Sequence, residues 1–151
     1  MNAEFDTLLS QLRDEFVSEF PERCDMLEEC VLAFEQGREG AFDDMYRRVH
    51  SLKGAGSQFG LSIVTTVCHQ FESFLSSGAL TTDPLSISYA LSYIDLLKQI
   101  SDLIGSEKST YYDIEHSLEE LRKSSMPNHA SVLLIEPSPS RRKMCQGVLS
   151  A

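Results

Sequence analysis

Residues 41–78 read AFDDMYRRVHSLKGAGSQFGLSIVTTVCHQFESFLSSG. Apolar residues recur along this stretch at three- and four-residue steps, first at Phe42, Met45, Val49 and Leu52, and then at Ile63, Val67, Phe71 and Phe74. That spacing places them on one face of an α-helix. The stretch therefore predicts two amphipathic helices, one starting at about Ala41 and one ending near Gly78, folded into an antiparallel hairpin.

The same spacing continues on both sides of the hairpin. Upstream, residues 4–20 carry one apolar helix face, formed by Phe5, Leu8, Leu9, Leu12, Phe16 and Phe20. Pro21 interrupts the pattern, because a proline either fits the first turn of a new helix or kinks an old one. A second stripe follows and stops at Gly37. Downstream, Asp83 and Pro84 predict the start of a helix that runs to Gly105, and a last amphipathic stretch is anchored by Tyr111, Ile114, Leu118 and Leu121.

These patterns predict an all-α fold. Helices joined by short connections, with no strand-like run before residue 131, are typical of an up-and-down bundle whose apolar stripes face inward. We expect this bundle to cover residues 1–123, as a four-helix core with extra terminal helices. Residues 124–131 (SSMPNHAS) are a predicted linker, and residues 132–151 predict a short C-terminal strand and helix, too small to bury a core of their own.

Composition excludes several classes of function. The 151 residues include 23 acids and 13 lysines or arginines, a formal charge of -10 that disfavours nucleic acids and anionic lipid surfaces. No apolar run is long enough to span a bilayer, and no secretory signal opens the sequence. The four cysteines form no CxxC pair and are too sparse for a disulfide framework. We therefore expect a cytoplasmic protein that does not contact a membrane.

Residues 49–61, VHSLKGAGSQFGL, depart from ordinary helix composition. Gly54 and Gly56 each cost about 1 kcal/mol relative to alanine, and we interpret them as bare backbone that lets a partner approach closely. His50, Lys53 and Gly54 share a face beside the apolar one. An imidazole is a nucleophile near neutral pH, and an ammonium one turn away can neutralise a phosphoryl group. The arrangement suits a phosphohistidine at His50.

A histidine followed by lysine at +3, glycine at +4 and glycine at +10 resembles the signature of the histidine-containing phosphotransfer (HPt) domain of two-component phosphorelays. Here these residues are His50, Lys53, Gly54 and Gly60, and the resemblance covers about residues 4–122. It implies a helical bundle whose histidine carries phosphate on Nε2. The implied partners are a histidine kinase and the receiver domains of response regulators. Gln58 matches a position where the family commonly has an amide that could bind near the phosphate.

A second stretch, CHQFESFL at 68–75, resembles a helix of the phosphotransfer domain of chemotaxis kinases. The resemblance implies that His69 and Glu72 share a hydrogen-bond network with His50 and Lys53. From spacing alone, His69 and Glu72 lie on one face of the helix paired with that of His50, where Glu72 could accept from Nδ1–H. A surface hydrogen bond without a chemical role remains an alternative. A metal site built from His50, His69 and Glu72 is disfavoured by the neighbouring lysine, so no metal or cofactor is predicted.

The C-terminal stretch 131–150, SVLLIEPSPSRRKMCQGVLS, resembles the opening of a receiver domain. Glu136 and Pro137 stand where that family has two adjacent acids for Mg²⁺. Because no nucleotide loop or kinase motif occurs, the sequence predicts a phosphate carrier and not an enzyme. Two alternatives stay open: the substrate domain of a chemotaxis-type histidine kinase, and a helical docking module that is never phosphorylated. The oligomeric state is not predicted.

Overall fold

The computed structural model describes residues 3–104 and 111–125, which form five helices. They are α1 (Ala3–Glu35), α2 (Ala41–Gln58), α3 (Ser62–Ser76), α4 (Pro84–Ile104) and α5 (Tyr112–Ser125). No strand occurs in these two ranges, which confirms the predicted all-α fold. A search of the same ranges finds no helix with the length and hydropathy needed to cross a membrane.

Four of the helices close into a bundle. α1 packs against α2 and α4, and α3 packs against the same two helices, while α5 lies on the outside against α4 and α3. Phe16 of α1 meets Phe59 at the end of α2, with ring centroids 5.6 Å apart. Near the other end of α1, the Cys30 thiol donates to Asp44 in the first turn of α2, at 3.3 Å. These contacts make α1 antiparallel to α2, as expected for an up-and-down bundle.

A buried polar cluster fastens α5 to the bundle. The Tyr93 ring stacks on Phe71 at 5.0 Å, and its hydroxyl accepts from Gln70 and contacts the hydroxyl of Ser125, both at 3.0 Å. Gln70 also donates to the carbonyl of Leu118. α5 continues to Ser125 because the hydroxyl of that buried serine contacts Tyr93 inside the bundle. Ser124 and Ser125, predicted to begin the linker, therefore belong to α5; the rest of the linker and residues 132–151 lie outside the described residues.

Pro21 does not divide α1. The helix runs from Ala3 to Glu35 with the proline inside it. A proline in a helix interior costs about 3 kcal/mol or more, because it lacks an N–H and crowds the preceding turn. Phe20, Cys24 and Leu27, which flank it, are fully buried in the same core. Burial of a large apolar side chain contributes about 1.5–3 kcal/mol, so the two halves together offset the proline and the expected interruption is absent.

The N-terminal part of α1 extends past the bundle. Phe16 is the first residue of the chain in the core cluster, and it packs against Phe59, directly after the last residue of α2. Residues 3–15 therefore project about 20 Å beyond that level, at 1.5 Å per residue. Within them Phe5, Leu8 and Leu12 are 56%, 50% and 37% exposed. The prediction that every apolar stripe faces inward is wrong for Phe5 and Leu8, which are half exposed. Leu12, at the base of the segment, lines a groove together with Phe59.

The two glycines of α2 have different surroundings. A Cβ atom on Gly54 would meet open space. On Gly56, which is buried, a Cβ would lie 2.6 Å from Oγ1 and 3.0 Å from the backbone nitrogen of Thr65 on α3. Gly56 is thus required for the close approach of α2 and α3. The interpretation that both glycines leave room for a partner does not hold for Gly56.

Substituting each glycine with alanine tests this difference. Gly56→Ala should lower the free energy of unfolding by about 1–3 kcal/mol, since Thr65 must move to admit the methyl group. Gly54→Ala is the matched control and should raise it by up to about 1 kcal/mol through helix propensity alone. Urea unfolding followed by circular dichroism measures both. Equal effects of the two substitutions would contradict the close-packing role of Gly56.

Candidate functional site

A tight turn brings α3 back along α2. Gly60 has a φ of 72°, a left-handed conformation that side chains rarely adopt. The Leu61 N–H donates to the carbonyl of Gly56 at 2.8 Å, and the Gly60 N–H donates to that of Ser57 at 3.4 Å. This pair of bonds is the Schellman motif that ends many helices. The glycine at +10 from His50 therefore has a structural role: it ends α2 and sets the start of α3.

The hairpin brings three sequence-predicted residues together. His50 of α2 is exposed, with 65% of its side chain accessible, whereas the Glu72 side chain on α3 is only 12% accessible. Nδ1 of His50 lies 2.6 Å from Oε2 of Glu72, and Nζ of Lys53 lies 2.5 Å from Oε1. Each carboxylate oxygen thus takes one donor from α2.

The charge of Glu72 determines which nitrogen of His50 carries the proton. Partial burial raises the pKa of Glu72, but hydrogen bonds from Lys53 and His50 outweigh it and hold the pKa below the ordinary value. The carboxylate is therefore ionised at neutral pH and can only accept hydrogen bonds. Nδ1 of His50 must be the donor, so in the neutral imidazole the lone pair is on Nε2.

This arrangement suits nucleophilic chemistry at Nε2. A carboxylate that accepts from Nδ1–H orients the ring and stabilises the positive charge that develops when Nε2 forms a new bond. Lys53 is one turn along α2 and its side chain is 25% accessible, and within the described residues two of its three donors can still bind an anionic group. The cluster can therefore hold a nucleophile and a cation side by side.

The structure does not bring every predicted site residue to this cluster. His69 is exposed, and in the described part of the chain its imidazole makes no hydrogen bond to His50 or Glu72. Gln58 lines a groove between α1 and α2, together with Gly54 and Phe16. It is eight residues from His50, about 12 Å along the helix. Gly54 is exposed, one turn beyond His50.

Sequence reasoning missed Thr65. Its hydroxyl donates to the carbonyl of Lys53 at 3.2 Å and lies 3.3 Å from the hydroxyl of Ser57. Thr65 therefore ties α3 to the turn of α2 that carries the lysine. The signal available in the sequence was Gly56, since a glycine in a helix interior often marks a close neighbour. Across residues 3–104 and 111–125, no group of three potential ligands is placed to hold a metal ion.

Fold and site together define a class: a helical bundle that presents one histidine, oriented by a carboxylate, to solvent. A comparison with protein families matches residues 11–124 to the Hpt domain, and the chain belongs to that family. Hpt domains are phosphohistidine carriers of two-component phosphorelays; they interact with histidine kinases and receiver domains and are not kinases themselves. Comparisons with curated proteins and with solved structures give no match.

The lowered pKa of Glu72 predicts a pH-dependent contribution to stability. Above pH 4.5, which is the ordinary pKa of a glutamate, the ionised carboxylate should make the wild type more stable than Glu72→Gln. As the pH falls through the lowered pKa of the folded state, the carboxylate is protonated and this advantage should disappear. Urea unfolding of both proteins across the acidic range measures it.

Glu22→Gln, at an exposed glutamate in the interior of α1, provides the control and should follow the wild type at each pH. If Glu72→Gln is as stable as the wild type at neutral pH, the two hydrogen bonds to the carboxylate contribute nothing to stability, contrary to this description.

Proposed function

We propose that His50 carries a phosphoryl group on Nε2, which it receives from, or passes to, the aspartate of a receiver domain. The observation that carries this proposal is the 2.6 Å contact between Nδ1 of His50 and Glu72 on an otherwise exposed imidazole. It leaves Nε2 as the only nucleophilic nitrogen of the neutral ring. Family membership supports the same reaction class.

The transfer needs no cofactor in this chain. With an aspartyl phosphate as donor, the Nε2 lone pair forms a bond to phosphorus while the bond from phosphorus to the aspartate oxygen breaks. The aspartate leaves as a carboxylate, and the Nδ1 proton stays on the ring. Glu72 accepts the hydrogen bond from that proton throughout and offsets the positive charge on the ring. The reverse reaction returns the electron pair to Nε2.

Lys53 supplies the compensating charge for the phosphoryl oxygens. Lys53 lies on the turn of α2 that follows His50, and its ammonium forms an ion pair with Glu72 of α3. The ion pair keeps the lysine near the imidazole before the phosphoryl group arrives. An ammonium placed in advance stabilises charge in the transition state without first having to be oriented. Gly54, one turn from His50 and open to solvent, leaves room for the surface of a partner.

Direct phosphorylation by phosphoramidate, a small donor that requires no kinase, tests the role of His50. Intact-mass measurement should show one added phosphoryl group on the wild type and none on His50→Gln. His116→Gln and His69→Gln remove exposed histidines on α5 and α3, and both should still be labelled. The label should be lost in acid and retained in base, as expected for a phosphohistidine. Full labelling of His50→Gln would exclude His50 as the phosphorylated residue, whereas a wild type that takes up no label would favour the docking module.

Replacing Lys53 with alanine tests the lysine separately. Phosphorylation by phosphoramidate should slow by at least about 10-fold, less than the 10²–10³-fold typical of a buried donor, because the lysine is partly exposed. The helical signal should be unchanged. Lys123→Ala, at an exposed lysine of α5, controls for loss of positive charge and should react at the wild-type rate. Identical rates for Lys53→Ala and the wild type would remove Lys53 from the mechanism.

A further inference from the structure

The projecting part of α1 carries an apolar stripe that the described bundle does not use. Phe5, Leu8 and Leu12 are among the most exposed large hydrophobic residues of the described chain, and none of them belongs to the core cluster. Leu12 lies at the base of the stripe, where it lines the groove that Phe59 also lines. Scattered single apolar residues are common on protein surfaces, but a stripe of three along one helix face is typical of an interaction site.

The stripe has nearly the same spacing in both directions along the chain. It reads Phe5, two residues, Leu8, Leu9, two residues, Leu12. If two copies of this helix lie antiparallel, with the midpoint between Leu8 and Leu9, each Leu8 meets Leu9 of the other copy. Each Phe5 then meets Leu12 of the other copy. One self-complementary patch of this kind is the requirement for a two-fold symmetric dimer.

The charged residues beside the stripe fit the same register. Asp6 and Arg13 are two helical turns apart and lie on one flank of the stripe. In an antiparallel pair, the same flank of each copy lies side by side. Arg13 then comes within about 3 Å, along the axis, of Asp6 in the second copy, and symmetry repeats this contact. On the opposite flank, Glu4 lies between Gln11 and Glu15 of the second copy. Symmetry repeats this arrangement, so the dimer has two contacts with an amide donor and two like-charge contacts on this flank.

We infer that residues 3–15 of α1 pair with the same residues of a second copy of this chain to form an antiparallel homodimer. The interface is small, so the dimer is weak, with a dissociation constant in the micromolar range or higher. It leaves the phosphotransfer site open, since His50 is nine residues, about 14 Å along α2, from the end of the helix at Phe59. The inference does not depend on the proposed function.

Sedimentation velocity of the full chain over a concentration series tests for the dimer. The wild type should shift from monomer to dimer as concentration rises, and Leu8→Glu should raise the dissociation constant at least about 10-fold. Leu32→Glu is the matched control, because Leu32 is also on α1 and is 48% exposed, but it lies far from the stripe. Circular dichroism should show the same helix content in all three proteins.

The charge pair tests the register. Asp6→Arg alone places two arginine pairs across the interface, and Arg13→Asp alone places two aspartate pairs there, so each variant should dimerise more weakly than the wild type. An equimolar mixture of the two restores opposite charges at both contacts and should dimerise to within about twofold of the wild type. The mixture contains no new helix sequence, so recovery cannot arise from folding.

Three results would overturn the inference. The first is a wild type that stays monomeric at every concentration. The second is a dimer that Leu8→Glu leaves intact or that Leu32→Glu dissociates, since the contact would then lie elsewhere. The third is a mixture of Asp6→Arg and Arg13→Asp that dimerises no better than either variant alone, which would exclude the antiparallel register.

Discussion

The close contact between α2 and α3 at Gly56 and Thr65 is the constraint on which the site depends. From this contact, His50 lies six residues back along α2 and Glu72 lies seven residues forward along α3. In an antiparallel hairpin these steps correspond to about 9 Å and 10 Å in the same direction, so the imidazole and the carboxylate arrive at the same level. A larger residue than glycine at 56 would separate the helices. Gly60 completes the geometry by ending α2 where the hairpin must turn.

Glu72 links the two α2 side chains of the candidate site. One carboxylate accepts from both His50 and Lys53, and the same two hydrogen bonds keep it ionised despite its partial burial. Because an ionised carboxylate cannot donate, it fixes the proton on Nδ1 and leaves Nε2 toward solvent. The proposed nucleophile and the charge that would receive the phosphoryl oxygens are therefore positioned by a single side chain. The opposite orientation of the ring would bury the reactive nitrogen against Glu72.

Much of the fold and of the candidate site could be predicted from the sequence, for identifiable reasons. Apolar periodicity located the five helices of the described residues, although it divided α1 at Pro21, and the spacing of His50 and Lys53 placed them on one accessible face. Periodicity reports that a helix is amphipathic but not what covers it, so it could not show that Phe5 and Leu8 are exposed. Periodicity also does not show whether burial on both sides of Pro21 contributes enough free energy to offset the cost of the proline. Whether Glu72 reaches His50 directly or through His69 depends on side-chain rotamers and helix separation, which spacing does not specify.

In the mechanism that we propose, Glu72 holds the proton on Nδ1 so that Nε2 is the reactive nitrogen of His50. Nitrogen-15 NMR of the phosphorylated protein, with labelled histidine, tests it most directly, because phosphorus couples to the nitrogen that carries it. We expect phosphorus on Nε2 of His50, with Nδ1 protonated and still hydrogen-bonded to Glu72. Phosphorus on Nδ1, or a proton on Nε2 of His50 in the neutral, unphosphorylated protein, would contradict it.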